Sequence, residues 1–255
     1  MLRETCFPQR LNPPMHFLER HGLTAIEQLA WEESLLEAAE EQEKDPGDLL
    51  RIWEVPEHCI ILGRSSRWDL EVQQKAVDAD QVPVLRRSSG GLSIVAGPGC
   101  LMYSLFLSLD RSPHLRSIAE AHHHVGSRMI AAFQLLGLPV TLQGSSDLTW
   151  NDRKFSGNSL RVRRRYLLYH GTILYRFDLN RIGRYLLPPP RQPDYRQQRS
   201  HDQFVTNLPV SRDALVNRIR EVWKADTPGH PPPADRVEHW IKQRYGNPSW
   251  HRGSS

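Results

Sequence analysis

Residues 101–109 read Leu-Met-Tyr-Ser-Leu-Phe-Leu-Ser-Leu, and this nearly unbroken apolar run constrains the fold more than any other stretch. Successive side chains of a strand point to opposite faces. A strand that is apolar at almost every position must therefore be buried on both sides. It predicts the middle of a sheet covered by packing on each face, in a chain of 255 residues that is long enough to bury a proper core.

The pattern around that run supplies the covering layers. Thr24 followed by Glu27 is a capping box. The helical spacing after it predicts a helix that ends near Gln42, before Asp45-Pro46-Gly47. Residues 49–55 and 58–62 read as strands around a Pro56-Glu57 turn. Asp69 is placed to cap a helix reaching Ala79. Residues 82–85 form a short β-branched strand, with 92–95 expected as its neighbour across a glycine turn. A long helical pattern, 117–136, stops at Gly137. Strands follow at 140–142, 148–150, 154–162 and 166–177, with Arg163-Arg164-Arg165 at the tip between the last two. A short helix, 179–186, ends at Pro188-Pro189-Pro190. Beyond Leu208 come helices at 211–223 and 234–245, joined by a Pro/Gly-rich linker over 226–233. A frayed tail is expected from Gly246. Residues 1–22, punctuated by proline, read as an extended arm or an edge strand. Strands and helices are intermixed with several hairpins. The expected class is α+β, with a mixed, largely antiparallel sheet flanked by helices.

Lysine and arginine number 33 against 29 acids, a net charge of +4. That excess is too mild to indicate nucleic-acid binding, and it suits an acidic protein partner or a nucleotide equally. Cys6, Cys59 and Cys100 are scattered, with no metal-binding spacing. The first fifteen residues lack the apolar core of a secretory signal, and no run approaches the ~20 apolar residues that span a bilayer. The expectation is a soluble cytoplasmic protein without membrane or nucleic-acid partners.

Chemistry concentrates in Val84-Leu85-Arg86-Arg87-Ser88-Ser89-Gly90-Gly91-Leu92, where an apolar run opens into arginines, serines and glycines. Glycine lets backbone approach a ligand closely. Consecutive N–H groups in such a turn form an anion nest, to which arginine adds a planar fork of donors. The alternative is a crossover loop with surface arginines. Neither a Walker loop nor Gly-x-Gly-x-x-Gly is present. Downstream, Asp147-Leu148-Thr149-Trp150 leads to Lys154-Phe155-Ser156-Gly157-Asn158, and after an arginine-rich stretch comes His170-Gly171-Thr172. His122-His123-His124 lies on the long helix, where consecutive residues diverge and cannot share one ion well.

Taken in order, these segments resemble the lipoate–protein ligase family, part of the group that also holds octanoyltransferases and biotin–protein ligases. The family's Arg-Arg-x-Ser-Gly-Gly-Gly is matched by Arg86, Arg87, Ser89, Gly90 and Gly91, with Leu92 in the third glycine's place. Its Lys-x-Ser-Gly is matched at Lys154, Ser156 and Gly157, and its His-Gly-Thr at His170, Gly171 and Thr172. Arg199-Ser200-His201 and Phe204-Val205-Thr206-Asn207-Leu208 look like a late family segment. The resemblance implies a catalytic domain over 1–208. The remainder, 209–255, is then a short helical appendage rather than a full accessory domain. It implies an enzyme that activates lipoate with ATP as lipoyl-AMP and transfers the lipoyl group to a lysine of a carrier domain. That carrier would be glycine-cleavage H-like or 2-oxoacid dehydrogenase E2-like, and either the catalytic domain manages adenylation alone or a separate accessory protein supplies the missing part.

Lys154 would then neutralise the lipoate carboxylate and hold the adenylate. The glycine turn, Ser156, Gly157, Asn158, Gly171 and Thr172 would bind substrate or nucleotide, and His170 would touch the substrate, orient a neighbour or make a structural hydrogen bond. Asp147 would sit near the nucleotide and help place Mg²⁺, or else simply form a turn. Adjacent strand residues face opposite ways, so at most one of Arg86 and Arg87 is expected to meet the ligand. Arg161, Arg163, Arg164 and Arg165 form either a solvated face or a patch that steers an acidic carrier. An ATP-independent octanoyl or lipoyl transferase, or a non-catalytic acyl-carrier-binding scaffold, are the alternatives. The family's catalytic cysteines have no counterpart near residues 144–147 or 171–178.

Overall fold

The computed structural model describes residues 15–42 and 46–252. The arm before Met15, Cys6 and the turn at Asp45 lie outside them. The chain runs β1 (Met15–Glu19), α1 (Ala25–Glu41), β2 (Asp48–Trp53), β3 (Cys59–Leu62), α2 (Trp68–Glu71), α3 (Gln74–Ala79), β4 (Val84–Arg86) and β5 (Ile94–Ala96). It continues through β6 (Cys100–Ser108), α4 (Ile118–Gln134), β7 (Val140–Gln143), β8 (Asp147–Trp150), β9 (Arg153–Ser156), β10 (Asn158–Val162) and β11 (Tyr166–Leu174). The last elements are α5 (Asn180–Tyr185), α6 (His201–Phe204), α7 (Arg212–Trp223), β12 (Thr227–Pro228), α8 (Ala234–Trp240) and α9 (Pro248–Arg252).

A six-stranded sheet in the order β10-β11-β6-β2-β1-β12 is antiparallel from β10 to β2 and parallel at β1 and β12. Two three-stranded sheets, β4-β3-β5 and β7-β8-β9, flank it. The apolar run is β6, buried at every position. Its odd residues, Leu101, Tyr103, Leu105 and Leu107, pack with Val125, Met129 and Phe133 of α4 and Leu215, Ile219 and Trp223 of α7. Its even residues face α1: Met102 packs with Leu29, and Phe106 with Leu36. The period-two alternation thus sets a helical layer on each face. The α1 capping box is present, with Thr24 and Glu27 bonded reciprocally. Ser117 caps α4, and Gly137 takes φ +72° beyond its end. Among the described residues, no helix is long and apolar enough to cross a membrane.

Several expectations change. β1 is interior to the sheet, because the two-residue β12 pairs outside it. β4 and β5 are not neighbours, since β3 lies between them. The 69–79 helix breaks into α2 and α3 where Val72 bridges to Leu186 and the Gln73 amide donates to the Tyr185 carbonyl, 2.9 Å; Asp69 falls inside α2 rather than capping it. Residues 154–162 divide at Gly157, so β9 belongs to a small sheet and β10 to the large one. The 234–245 helix is regular only to Trp240 and continues as a wide π turn over Ile241–Tyr245. Among the described residues, Gly246 opens no frayed tail. Pro248–Arg252 is helical, and His251 is buried.

Candidate functional site

A cleft of about 200 Å³ opens between the α1 face of the large sheet and the two small sheets. Leu29, Trp53, Ile61, Val95, Met102 and Leu174 line its buried part. An apolar cavity of ~150 Å³ holds benzene, so this one has room for a short acyl chain. At its more open part stand Lys154, Leu92 and Pro189. Leu92, in the place of the family's third glycine, is 39% exposed and lines the mouth.

Arg86 and Arg87 diverge as strand geometry requires. Arg87 lines the cleft, and its guanidinium holds the turn from within. Nε donates to Ser89 Oγ at 3.0 Å, and the terminal nitrogens donate to the carbonyls of Ile61 (3.2 Å), Gly90 (2.6 Å) and Leu92 (3.0 Å). Burial pulls this guanidinium down to about 10, against Glu32 and Glu71. Arg86 points the other way and does not line the cleft; its guanidinium donates to five main-chain carbonyls. Gly91 sits at φ +85°, a conformation that L side chains rarely adopt. The amides of Ser89, Gly90, Gly91 and Leu92 donate to no acceptor within the described residues. Unspent backbone donors beside a buried cation make an anion site.

Ser89 is anchored by a buried relay. Its Oγ meets His170 Nε2 at 2.6 Å, and His170 Nδ1 lies 3.0 and 3.1 Å from the Glu32 carboxylate oxygens. The carboxylate fixes a proton on Nδ1, which leaves Nε2 to accept from the serine. Burial opposes the charge on Glu32. His170, Arg51 and Ser104 outweigh that opposition and hold the carboxyl below its ordinary value. Glu32 and Glu71 are the residues that sequence reasoning passed over. Glu71 accepts from the Ser93 amide (2.8 Å), Ser93 Oγ (2.7 Å) and Ser66 Oγ (3.0 Å), tying the loop after β3 to the end of the glycine turn. The available signal for Glu32 was its spacing: residues 29, 32 and 36 share one helical face with an acid among leucines.

Lys154 lines the cleft, and its ammonium lies 2.8 Å from Asp147 Oδ1. The other oxygen of Asp147 accepts from Tyr195, 2.7 Å away. Burial, reinforced by Asp147, raises the Tyr195 phenol, so it stays a donor. Gly157, Ser156, Asn158, Gly171 and Thr172 also line the cleft. Asn158 Oδ1 accepts from Tyr103 (2.5 Å) and its Nδ2 donates to the Ser146 carbonyl (2.5 Å). It crosses Gly171 so closely that a Cβ there would lie 1.8 Å from Asn158 Oδ1. Thr172 returns the chain to the Gly157 turn through its amide, 3.1 Å. Arg196, from the connection after α5, and His201, at the start of α6, join the lining; neither was read as a site residue from the sequence.

Among the described residues, no group of three His, Cys, Asp or Glu side chains is arranged to hold a metal. His122 instead meets the Tyr169 hydroxyl (3.0 Å), and His124 packs near Trp223. Both described thiols are buried. Cys59 is pushed up to about 12 by burial, and Cys100, which lines the cleft, is driven higher still. In the arginine strip, Arg161 pairs with Glu33 (2.7 Å) and Arg165 with Asp110 (3.2 Å), while Arg163 and Arg164 are exposed.

The model for the lipoyl protein ligase A/B catalytic domain matches residues 24–225. An Aeropyrum pernix protein provisionally called a lipoate-protein ligase A is 29% identical over 220 residues, 86% of this chain and 75% of that one. The octanoyltransferase LipM of Oceanobacillus iheyensis is 24% identical over 226 residues, 82% of each. Other relatives are longer: the chain spans 37% of a Mycoplasma genitalium lipoate-protein ligase A homologue and 56% of the Psychrobacter cryohalolentis enzyme. Two solved structures share the fold. One comes from the archaeal lipoylation system of Thermoplasma acidophilum, a bi-partite lipoate protein ligase and its E2 lipoyl domain. It has TM-score 0.78 and 19% identity, over 94% of this chain and 96% of that one. The other is a lipoate-protein ligase A bound with ATP, TM-score 0.74 and 18% identity, over 94% and 98%.

Proposed function

The chain belongs to the lipoyl protein ligase A/B catalytic-domain family, and from that membership and the cleft we propose that it is an ATP-dependent lipoate–protein ligase. One observation carries the reading. Lys154 and the Gly91–Leu92 end of a glycine turn with unspent amides border the same cavity, whose interior is largely apolar. Lipoate needs that pairing, having a hydrocarbon chain at one end and a carboxylate at the other.

A carboxylate does not acylate an amine at neutral pH until its oxygen is made a leaving group. In the proposed reaction the lipoate carboxylate attacks the α-phosphorus of ATP, pyrophosphate departs, and lipoyl-AMP forms. The neutral amine of a carrier lysine then attacks the acyl carbonyl, and AMP leaves. The first step brings two anions together, and fixed donors in a site shielded from water make it possible. Lys154, Arg87 and the amides of Ser89 to Leu92 are those donors. Asp147 keeps Lys154 oriented until the ligand's negative charge competes for the ammonium. Mg²⁺ would come with the ATP phosphates, and Asp147 is the protein ligand we propose for it. The acyl acceptor we propose is a lipoyl domain of the E2 or glycine-cleavage H type, steered by the exposed Arg163 and Arg164.

The likeness to LipM supports a second reading, transfer from an octanoyl carrier through a cysteine without ATP. Cys100 is the cleft thiol, and burial drives its pKa away from the thiolate.

The test is to mix the protein with lipoate, MgATP and an apo lipoyl domain and weigh the acceptor. A lipoyl adduct that needs ATP, and that Lys154→Ala abolishes, supports the ligase. Full modification by Lys154→Ala refutes the role given to that residue. Modification from an octanoyl carrier without ATP, lost in Cys100→Ser, would replace this reading with the transferase.

A further inference from the structure

β4 is the outer strand of its sheet, paired with β3 on one edge only. Its other edge is met by the end of the chain. The Arg86 amide donates to His251 Nδ1 at 3.0 Å, and Trp250 Nε1 donates to the Arg86 carbonyl at 2.9 Å. Arg86 Nε donates to the carbonyls of Trp250 and His251, both at 3.1 Å. From the same guanidinium, the fork reaches the carbonyls of Gly63 and Ser66, each 2.8 Å away, in the loop beside the cleft. His251 uses both ring nitrogens: Nδ1 accepts, and Nε2 donates to the Tyr245 carbonyl at 2.8 Å. Only a neutral imidazole in one tautomer satisfies both bonds.

This terminal segment is itself tied down at separate points. Tyr245 Oη donates to Glu33 at 3.2 Å, and Arg244 pairs with the same carboxylate at 3.2 Å. Arg244 stacks 4.6 Å from the Trp250 ring centroid, and Arg252 lies over Trp68 of α2. Glu33 adjoins Glu32, which holds His170 and through it Ser89. The glycine turn is therefore gripped from the cleft side by Glu32, His170 and Ser89, and from the far side by the tail on Arg86. A single peptide bond separates Arg86 from the cleft-lining Arg87.

We infer that Ala234–Arg252 is an intramolecular brace for the anion-binding turn, and that His251 is a positioning residue of the site. It touches no substrate. It acts by fixing the main chain at Arg86, so that Arg87 and the amides of Ser89 to Leu92 are already aligned before an anion arrives. This rests on the ligase reading for its activity readout but not for its structural one.

Asparagine places an acceptor oxygen close to where histidine carries Nδ1, whereas glutamine's oxygen reaches toward Nε2. In ATP–pyrophosphate exchange with lipoate, His251→Ala and His251→Gln should raise the KM for ATP about tenfold, the low end of what losing an outer supporting partner costs a binding site. His251→Asn should return it to within about twofold of wild type. Hydrogen exchange by mass spectrometry is the second arm. In the ligand-free protein, peptides covering 86–92 should exchange faster in the alanine and glutamine variants at Arg87, whose amide donates to the Leu62 carbonyl at 2.9 Å and does not touch His251, and near wild type in the asparagine one. Equal behaviour of asparagine and glutamine, or unchanged exchange over 86–92 in all three, overturns the brace. A wild-type protein with no exchange of pyrophosphate overturns the ligase reading instead, and the hydrogen-exchange arm still decides the brace. Should the alanine variant fail to fold, the asparagine–glutamine pair carries the comparison.

Discussion

Gly63→Ala tests whether the loop after β3 and the glycine turn are held in contact. A Cβ built at Gly63 lies 1.9 Å from the Gly91 carbonyl oxygen and 2.9 Å from its carbon. Real Cβ atoms essentially never come closer than 3.0 Å, and both atoms here are backbone, so the turn must retreat by about 1.1 Å. Retreat stretches the bond from Ser66 Oγ to the Gly91 carbonyl, now 3.2 Å, and loosens the Arg86 contacts to the Gly63 and Ser66 carbonyls. Overpacking of this kind costs about 1–3 kcal/mol, or roughly 2–12 °C in Tm for a chain of this size. The functional loss should be larger than the stability loss suggests. A displacement near 1 Å at a binding constellation costs about a hundredfold in rate, roughly 2.7 kcal/mol of transition-state stabilisation. The assay is thermal unfolding beside ATP–pyrophosphate exchange with lipoate. Gly183→Ala is the control: it lies in α5, and its added methyl would meet nothing closer than His201 Cβ at 4.0 Å. A Gly63→Ala protein with wild-type Tm and wild-type exchange would show that the two loops are not in contact and would refute the close approach of Gly63 to Gly91.

Glu32→Gln removes a buried carboxylate while His170, Ser104 and the buried Arg51 remain around it. Leaving that cation uncompensated should cost about 3–5 kcal/mol in urea unfolding, and a loss under about 1 kcal/mol would contradict it. His124 is pulled down from 6.5 to about 4 by burial first, then by Arg128, His114 and His123. A depressed histidine contributes stability that is complete above pH 6.5 and is lost as pH falls toward 4. Solvent reaches this half-buried ring, so the loss is about 1 kcal/mol; His124→Gln should lose that much less than wild type between pH 7 and pH 5. Cys59 and Cys100, both buried, should resist iodoacetamide at pH 8 in the folded protein and react fully in guanidinium, as read by peptide mass. Rapid alkylation of Cys100 in the native state would reopen the thioester route.

Much of this was legible along the chain because its cause is local. The capping box at Thr24, the stop at Gly137 and the two-faced burial of β6 each follow from residues a few positions apart. Fidelity was lost where the outcome depended on a distant partner. The 69–79 helix breaks because Tyr185 and Leu186 capture the backbone at Val72 and Gln73. β4 and β5 are parted by a strand some twenty residues upstream, and the apparent tail becomes a helix because Arg86 offers it a strand edge.

The same division runs through the site. Residue types and their order determined that a glycine-rich turn, a lysine and a histidine would be present. They also determined that Arg86 and Arg87 would part company, since opposite facing is a property of any strand. Only the tertiary structure decided which arginine turned inward. It also brought Glu32 under His170, Asp147 and Tyr195 against Lys154, and His251 behind the turn. Hydrogen bonds and ion pairs act over about 3 Å, and no spacing along the sequence records which remote groups the folded core brings within that reach.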